Sequence, residues 1–307
     1  MSERLFDNVA HAGARPRLSV LIPFKGDDPT DLVAALGRED QPVELVLLDD
    51  GSNDPALTGK VQAGIAACPL PARLVTLSAN LGRAKGRNLL ARRARANRLL
   101  FLDADMLPDA ADFLGRWLAV AEEGDPAVAF GGFSLRQAPP RREHALHRAM
   151  ALKSDCLPAV QRRLAPEKSV FTSNLLVRRE VFEAEGFDEG FSGWGWEDVE
   201  WAMRVARRWP IAHVDNTATH LGLDEGRTIA RKYEESAANF ARVVAAHREV
   251  VSAYPSYRAA RLLRRAPLRR LWRPLLKRYA LMEAAPLASR ALAMRLYRAA
   301  LYAEAVG

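Results

Sequence analysis

The sequence predicts an α/β protein, with a mostly parallel central sheet, helices on both of its faces and a C-terminal helical appendage. Three observations carry this. Short apolar runs alternate with helix-patterned stretches, acidic residues stand at the ends of two runs, and much of the excess positive charge falls between Tyr257 and Arg278.

The 307 residues accommodate one core, in a catalytic domain of about 220 to 250 residues plus an appendage. Hydrophobic residues at 49% and charged residues at 27% exclude a disordered chain or a coiled coil as the overall class. Cys68 and Cys156 lack metal-ligand spacing, which fits a reducing compartment, and both are expected as buried thiols. No apolar run reaches the roughly 18 residues of a membrane span, and MSERLFDNVAHAG has no signal-peptide core, so a cytoplasmic location is expected. A net charge of +8 asks for an anionic partner.

The first strand is Leu18 to Phe24, followed by the breakers Gly26 to Pro29 and a helix over Asp31 to Leu36. Val43 to Leu48 is apolar except for Glu44 and stops at Asp49, Asp50 and Gly51, as a strand buried on both faces does. Ala72 to Leu77 is a third strand. A helix is expected over Ala84 to Asn97, then a fourth strand, Leu99 to Leu102, closed by Asp103. Gln137 to Lys168 reads as an excursion from the sheet that lines an acceptor channel. Beyond it come a strand at Ser173 to Arg178, a helix near Glu180 to Glu185 and a Gly- and Trp-rich segment from Gly186 to Trp196. A helix starting at about Glu197, a strand at Ile211 to Val214 and a helix over Thr228 to His247 complete the pattern. In such a sheet ligands sit beyond the carboxyl ends of the strands, where strand order switches.

Three segments carry chemistry. Asp103 and Asp105 flank Ala104 directly after a strand, so both carboxylates aim at one point and suit a hard cation. Asp49 and Asp50 end another strand, placed to hold the base and ribose of a nucleotide. In Gly193 to Trp201 the glycines allow close backbone approach, Trp194 and Trp196 offer flat faces to sugar rings, and Glu197 and Asp198 stand at a helix start.

The ordered set LSVLIPF, LLDDGSND, NLGRAKGRN, FLDADMLP, NLLVRREVFEAEGFDEGFSGWGWEDVEWAMR and THLG resembles family 2 glycosyltransferases of the GT-A fold. Its carboxyl half is similar to the galactosyltransferase-type GWGxED segment. The resemblance covers roughly residues 17 to 225 and implies a GT-A catalytic domain there, with 226–307 as a helical, basic extension. Where the family pattern often reads Gly-Trp-Gly-Gly-Glu-Asp, this chain has Trp196.

By that resemblance Pro23, Phe24 and Asp50, with Asp49 beside it, contact the nucleoside base, Asp103 the ribose, and Asp105 a metal bridging the diphosphate. Asn80, Arg83, Gly86 and Arg87 flank the nucleotide, and Ala104, Trp194, Gly195 and Trp196 complete the nucleotide-sugar site. His220 in Thr-His-Leu-Gly matches a metal-bound histidine, with His213 as a nearby rival, and the cation is Mn2+ or Mg2+. The expected reaction is inverting transfer from a UDP-hexose or UDP-N-acetylhexosamine to a hydroxyl of a glycan, lipid-linked or small-molecule acceptor, as in polysaccharide biosynthesis. Asp198 is the base and Glu197 orients hydroxyls.

Competing classes fit less well. Hydrolysis by paired carboxylates needs no nucleotide-shaped motifs, and a separate nucleophile for retention is absent. A nucleotidyltransferase needs a Gly-rich basic N-terminal loop that LIPFKGDDP does not resemble. Nucleic acid is excluded as a partner because the acidic clusters repel phosphate. The alternatives are an inactive GT-A-like scaffold and a membrane-surface binding protein. The stretch from Tyr257 to Arg278 mixes Leu, Trp and Tyr with nine Arg or Lys and no acid, broken by Pro267 and Pro274. Such pieces either lie peripherally on an anionic membrane, here at its inner face, or pack on the domain with a solvated basic face.

Overall fold

The computed structural model describes residues 2–267 and 269–306. Strand β1 (Glu3–Asp7) precedes the first apolar run. The runs themselves form β2 (Leu18–Phe24), β3 (Val43–Asp49), β4 (Ala72–Leu77) and β5 (Arg98–Leu102), separated by helices α1 (Thr30–Leu36), α2 (Pro55–Ala67) and α3 (Arg83–Arg93). Next come β6 (Met106–Pro108), α4 (Phe113–Glu123), β7 (Val128–Phe130), β8 (Phe133–Ser134), α5 (Ala145–Ser154) and α6 (Ala159–Arg162). Then follow β9 (Asn174–Arg178), α7 (Arg179–Ala184), α8 (Glu197–Val205), β10 (Ile211–His213) and β11 (Ala218–His220). Four helices end the chain: α9 (Gly226–Val251), α10 (Pro255–Arg264), α11 (Arg269–Ala280) and α12 (Leu287–Tyr302).

Eight strands pair in the order β1-β4-β3-β2-β5-β9-β7-β10. Neighbours among β4, β3, β2 and β5 are parallel, whereas β9 runs antiparallel to both β5 and β7. The chain passes from β2 to one side, then returns to β5 on the other, so strand order switches between their carboxyl ends. Phe24 and Asp103 follow from those ends. A smaller sheet, β6-β11-β8, lies beyond.

Period-two alternation divides the sheet's side chains between two cores. Val20, Ile22, Leu45 and Leu47 face one with α1, α2 and α4, while Leu21, Val46 and Leu48 face the other with α3 and α8. Glu44, the polar exception, is fully buried and held by the Ser19 hydroxyl at 2.6 Å and the Arg95 Nε at 2.6 Å. One core was expected, but a third joins Val199 and Met203 of α8 to Phe240 of α9, Tyr257 of α10 and Met294 and Tyr302 of α12.

Several boundaries differ from expectation for identifiable reasons. Helix α3 stops at Arg93, short of Asn97, because Arg179 donates to the carbonyls of Ala91, Ala94 and Ala96 and pins an extended exit into β5. Helix α9 runs from Gly226 to Val251, with a non-helical residue at His247. Cys68 is buried as expected, but Cys156 is only half-buried, and burial followed by the Asp155 charge pushes its thiol up to about 12. Among the described residues no helix is long and apolar enough to cross a membrane.

Candidate active site

Most of the acids singled out from sequence meet at the switch point. Asp103 leaves β5 with Oδ1 accepting from Arg87 Nη2 at 2.7 Å and Oδ2 from the Ser173 hydroxyl at 2.8 Å. Burial pushes its carboxyl up, but Arg87, Arg83 and Ser173 outweigh that and hold it below the usual carboxylate range.

Asp105 is placed by the small sheet. His220 is in register with Met106 across the antiparallel β11–β6 pair, which brings its Nε2 to 3.2 Å from Asp105 Oδ2. Burial alone lowers the imidazole's pKa, yet Asp105, Asp103 and Asp155 raise it overall. The other oxygen, Asp105 Oδ1, is buried without a hydrogen-bond partner. Gly222 leaves room for this carboxylate: a Cβ there would lie 1.9 Å from Asp105 Oδ2. The rival His213 is buried elsewhere, against Arg162 at 3.3 Å and the Pro166 carbonyl at 3.1 Å.

Asp49 and Asp50 shape the neighbouring loops. Asp49 Oδ1 accepts from the Ser52 amide at 2.8 Å, and Asp50 from the amides of Leu81 at 2.6 Å and Gly82 at 3.0 Å. Burial nevertheless raises the Asp50 carboxyl. Gly51, at φ 74°, approaches so closely that a Cβ would stand 2.6 Å from the Asn80 amide nitrogen. Asn80 in turn accepts from Gly82 at 2.7 Å. Gly86 packs on Leu48, which seats α3 against the sheet. Half-buried Pro23, buried Phe24 and buried Ala104 line the same end of it.

Glu197 and Asp198 open α8. Glu197 is 3% exposed and lies 3.5 Å from Arg83 Nη1 and 3.9 Å from Arg87 Nη1. Asp198 accepts from the Val199 amide at 2.8 Å. Burial first and the Glu197 charge second, opposed by Arg87, the Val199 amide and Arg83, push its carboxyl up to about 7. A cavity of about 260 Å³ opens between Asn80, Gly82, Arg83, Phe191, Gly193 and Glu197. A larger one of about 710 Å³, lined by Asp109, Arg116, Phe133, Arg148 and Cys156, contains none of these acids.

Trp196 is half-buried, with its ring 4.9 Å from Phe240 and 5.9 Å from Tyr302 against the third core. Arg87, at 2% exposure, backs Asp103 and Glu197. Trp194 is half-buried beside Tyr233 at 6.2 Å, and Gly195 adopts φ 86°.

The sequence reading missed Asp27, whose carboxyl is raised by burial and then by Asp105 and Asp103. It also missed Ser173 and His147, the latter 6.1 Å from the His220 ring and pushed down to about 4 by burial and by His220. An acid one residue after the Gly26 breaker was the available signal for Asp27. His147 had none, since it stands in a helix far away in sequence.

A strand-order switch lined by Asp103, Asp105, Glu197 and Asp198, with a small mixed sheet beside it, defines a glycosyltransferase of the GT-A fold. The model for "Glycosyl transferase family 2" matches residues 19–186, more than half of the sequence, and the chain belongs to that family. No curated protein sequence matches it. Among solved structures it is similar to the mannosyltransferase PcManGT from Pyrobaculum calidifontis in complex with GDP-Man and Mn2+. That likeness has a TM-score of 0.60 at 16% identity and covers 97% of this chain and 89% of that one. It is also similar to S. aureus TarS 1–349 with UDP, at a TM-score of 0.52 and 16% identity over 94% and 90% of the two chains. The same TarS fragment with UDP-GlcNAc gives 0.52 and 16% over 92% and 89%.

Proposed function

We propose that the protein is an inverting, metal-dependent transferase that moves a hexose or N-acetylhexosamine from a UDP-linked donor to a hydroxyl of a glycan, lipid-linked or small-molecule acceptor. The carrying observation is Asp198, enclosed at the start of α8 beside Glu197 with its carboxyl pushed up to about 7, where a general base works best at neutral pH. In this reading Asp198 takes the proton of the acceptor hydroxyl, whose oxygen attacks the anomeric carbon. The bond to the nucleoside diphosphate breaks with inversion. Glu197, fixed between Arg83 and Arg87, orients a hydroxyl of donor or acceptor. The carboxyl half, with its GWGWED turn, is read as galactosyltransferase-like.

Among the described residues no group of three His, Cys, Asp or Glu side chains forms a closed metal site. The Asp105–His220 pair nevertheless fits Mn2+ or Mg2+ whose remaining ligands come from the donor, because Asp105 Oδ1 is buried and unpartnered. When bound, the cation supplies electrostatic stabilisation for charge on the departing diphosphate. Asp103, with Arg87 and Ser173 fixing its two oxygens, presents a rigid acceptor to the ribose hydroxyls. The acceptor is assigned to polysaccharide biosynthesis.

The test is calorimetric titration with UDP and with GDP, each with Mn2+ and with EDTA, on the wild type and Asp105→Ala. Metal-dependent UDP binding that disappears in the variant is expected. Preference for GDP sinks the donor assignment, and equal binding in EDTA sinks the metal.

A further inference from the structure

Large apolar side chains are unevenly exposed on this protein. Of thirteen that are exposed among the described residues, eight fall between residues 262 and 292. A stable aqueous surface does not normally gather them so. On α11, Leu271 at 61% exposure, Leu275 at 61% and Tyr279 at 39% recur every four residues, and Trp272 at 58% stands beside them. Inward, α11 turns buried Ala280 and half-buried Leu276 towards the third core. On α10, exposed Leu262 at 74% lies between Arg258 and Arg265, four residues before it and three after. Leu292 of α12 adds a further exposed side chain.

The charge around this apolar stripe has one sign. No Asp or Glu occurs from Tyr257 to Met282. Arg258, Arg261, Arg265 and Arg278 are exposed and form no ion pair with the described residues. Leucines and a tryptophan flanked by long cationic side chains match a lipid boundary, where rings settle at headgroup level and guanidinium groups reach anionic phosphates. A second copy of the same face would oppose arginine to arginine.

We propose that the outer face of α10, α11 and α12 is a docking surface for an anionic lipid bilayer. The docking orients the cleft as well. Leu281, in the turn joining α11 to α12, packs against Gly226, and two residues before that glycine the Asp224 amide donates to His147 Nδ1 at 2.7 Å, beside His220. The surface is therefore continuous with the His220 side of the cleft, where a lipid-linked acceptor would enter. That last clause rests on the transferase reading, whereas the docking itself does not.

Co-sedimentation of the full chain with vesicles tests it. The protein is expected to bind equimolar phosphatidylglycerol and phosphatidylcholine at low salt, to be released by high salt and to ignore phosphatidylcholine alone. Leu271→Asp with Leu275→Asp, and separately Arg258→Glu with Arg265→Glu, should each weaken binding by at least about tenfold. Because all four residues are exposed, thermal unfolding and UDP titration should be unchanged. Failure of the wild type to bind anionic vesicles, equal binding to neutral ones, or undiminished binding by both variants overturns the proposal. A dimer that the leucine variant dissociates also overturns it, since the face would then serve a second copy. Vesicle binding without nucleotide binding would sink the transferase reading and leave the docking intact.

Discussion

The indole Nε1 of Trp196 donates a hydrogen bond to the hydroxyl of Tyr302 at 2.9 Å, joining the residue before Glu197 to a helix 106 positions later. Trp196 has φ 77° and ψ −14°, a left-handed conformation that costs a non-glycine residue about 1 kcal/mol or more and persists only when its surroundings impose it. Those surroundings are explicit. Tyr302 also bonds Ser236 at 2.7 Å and stacks on Phe240 at 4.2 Å, while Asn239 donates to the carbonyls of Ser192 at 2.9 Å and Gly195 at 2.8 Å.

Tyr302→Phe keeps the stack and loses the hydrogen bond to Trp196. Stability should fall by only about 1 kcal/mol, whereas turnover should fall by roughly tenfold or more because the start of α8 is no longer held in register. Steady-state kinetics with a parallel UDP titration separates the two effects. Unchanged kcat at normal stability would show that the clamp has no part in catalysis.

Gly222→Ala adds one methyl group at a position whose φ is not in the left-handed region, so its effect is steric alone. The new Cβ would sit 1.9 Å from Asp105 Oδ2, and the carboxylate must swing away from His220. Mn2+-dependent nucleotide binding, followed by calorimetry, is expected to weaken by at least about tenfold, a cost of roughly 1.4 kcal/mol. Wild-type affinity in this variant would mean that Asp105 has no role in the cation site.

In the proposed mechanism Asp198 sets the pH dependence. Its carboxyl titrates at about 7 in the folded protein, raised from 3.8, and the base is the ionised form. Activity should therefore rise with pH through about 7, and Asp198→Asn should abolish transfer while sparing donor binding. Stability moves oppositely. A raised folded pKa stabilises fully below the unfolded value, and that contribution is lost as pH climbs through the folded one. Asp198→Asn should therefore melt higher than the wild type at pH 8, with a difference that shrinks towards pH 5. Thermal melts across that range decide it, and a variant less stable at pH 8 contradicts the assignment.

Arg87 and Arg83 separate a buried cation from an exposed one. Removing Arg87 strips the guanidinium from Asp103 and Glu197 in a place where it is 2% exposed, and Arg87→Ala should cost roughly 3–5 kcal/mol by urea denaturation. Arg83, whose side chain is 45% exposed, should cost less than about 1 kcal/mol on the same change. Similar losses for both would contradict the burial argument.

The apolar runs made β2 to β5 legible, since a strand buried on both faces needs little besides Val, Ile and Leu. The acids ending β3 and β5 were legible too, because no packing reason puts a carboxylate there. The rest depended on long-range register. β1 is largely exposed, held by pairing with β4, by Phe6 on the first core and by the Glu3–Arg93 ion pair. β6 and β11 are three residues each and gain their meaning from each other, since that pairing brings His220 to Asp105. Trp196 depends on long-range register too: its partner, Tyr302, lies too far along the chain to be paired with it from sequence. Glu44 looked anomalous within its strand until Arg95 and Ser19 closed around it.

The third core sets the order in which this protein can become competent during synthesis. The two cores flanking the sheet draw their residues from positions up to Ala218, so they can close early, whereas Val199 and Met203 of α8 wait for partners reaching to Tyr302. A nascent chain would thus seat the inner side of α8, through Trp201 and Val205, with the sheet first, and would close its outer side, Val199 and Met203, only once residue 302 has emerged and docked.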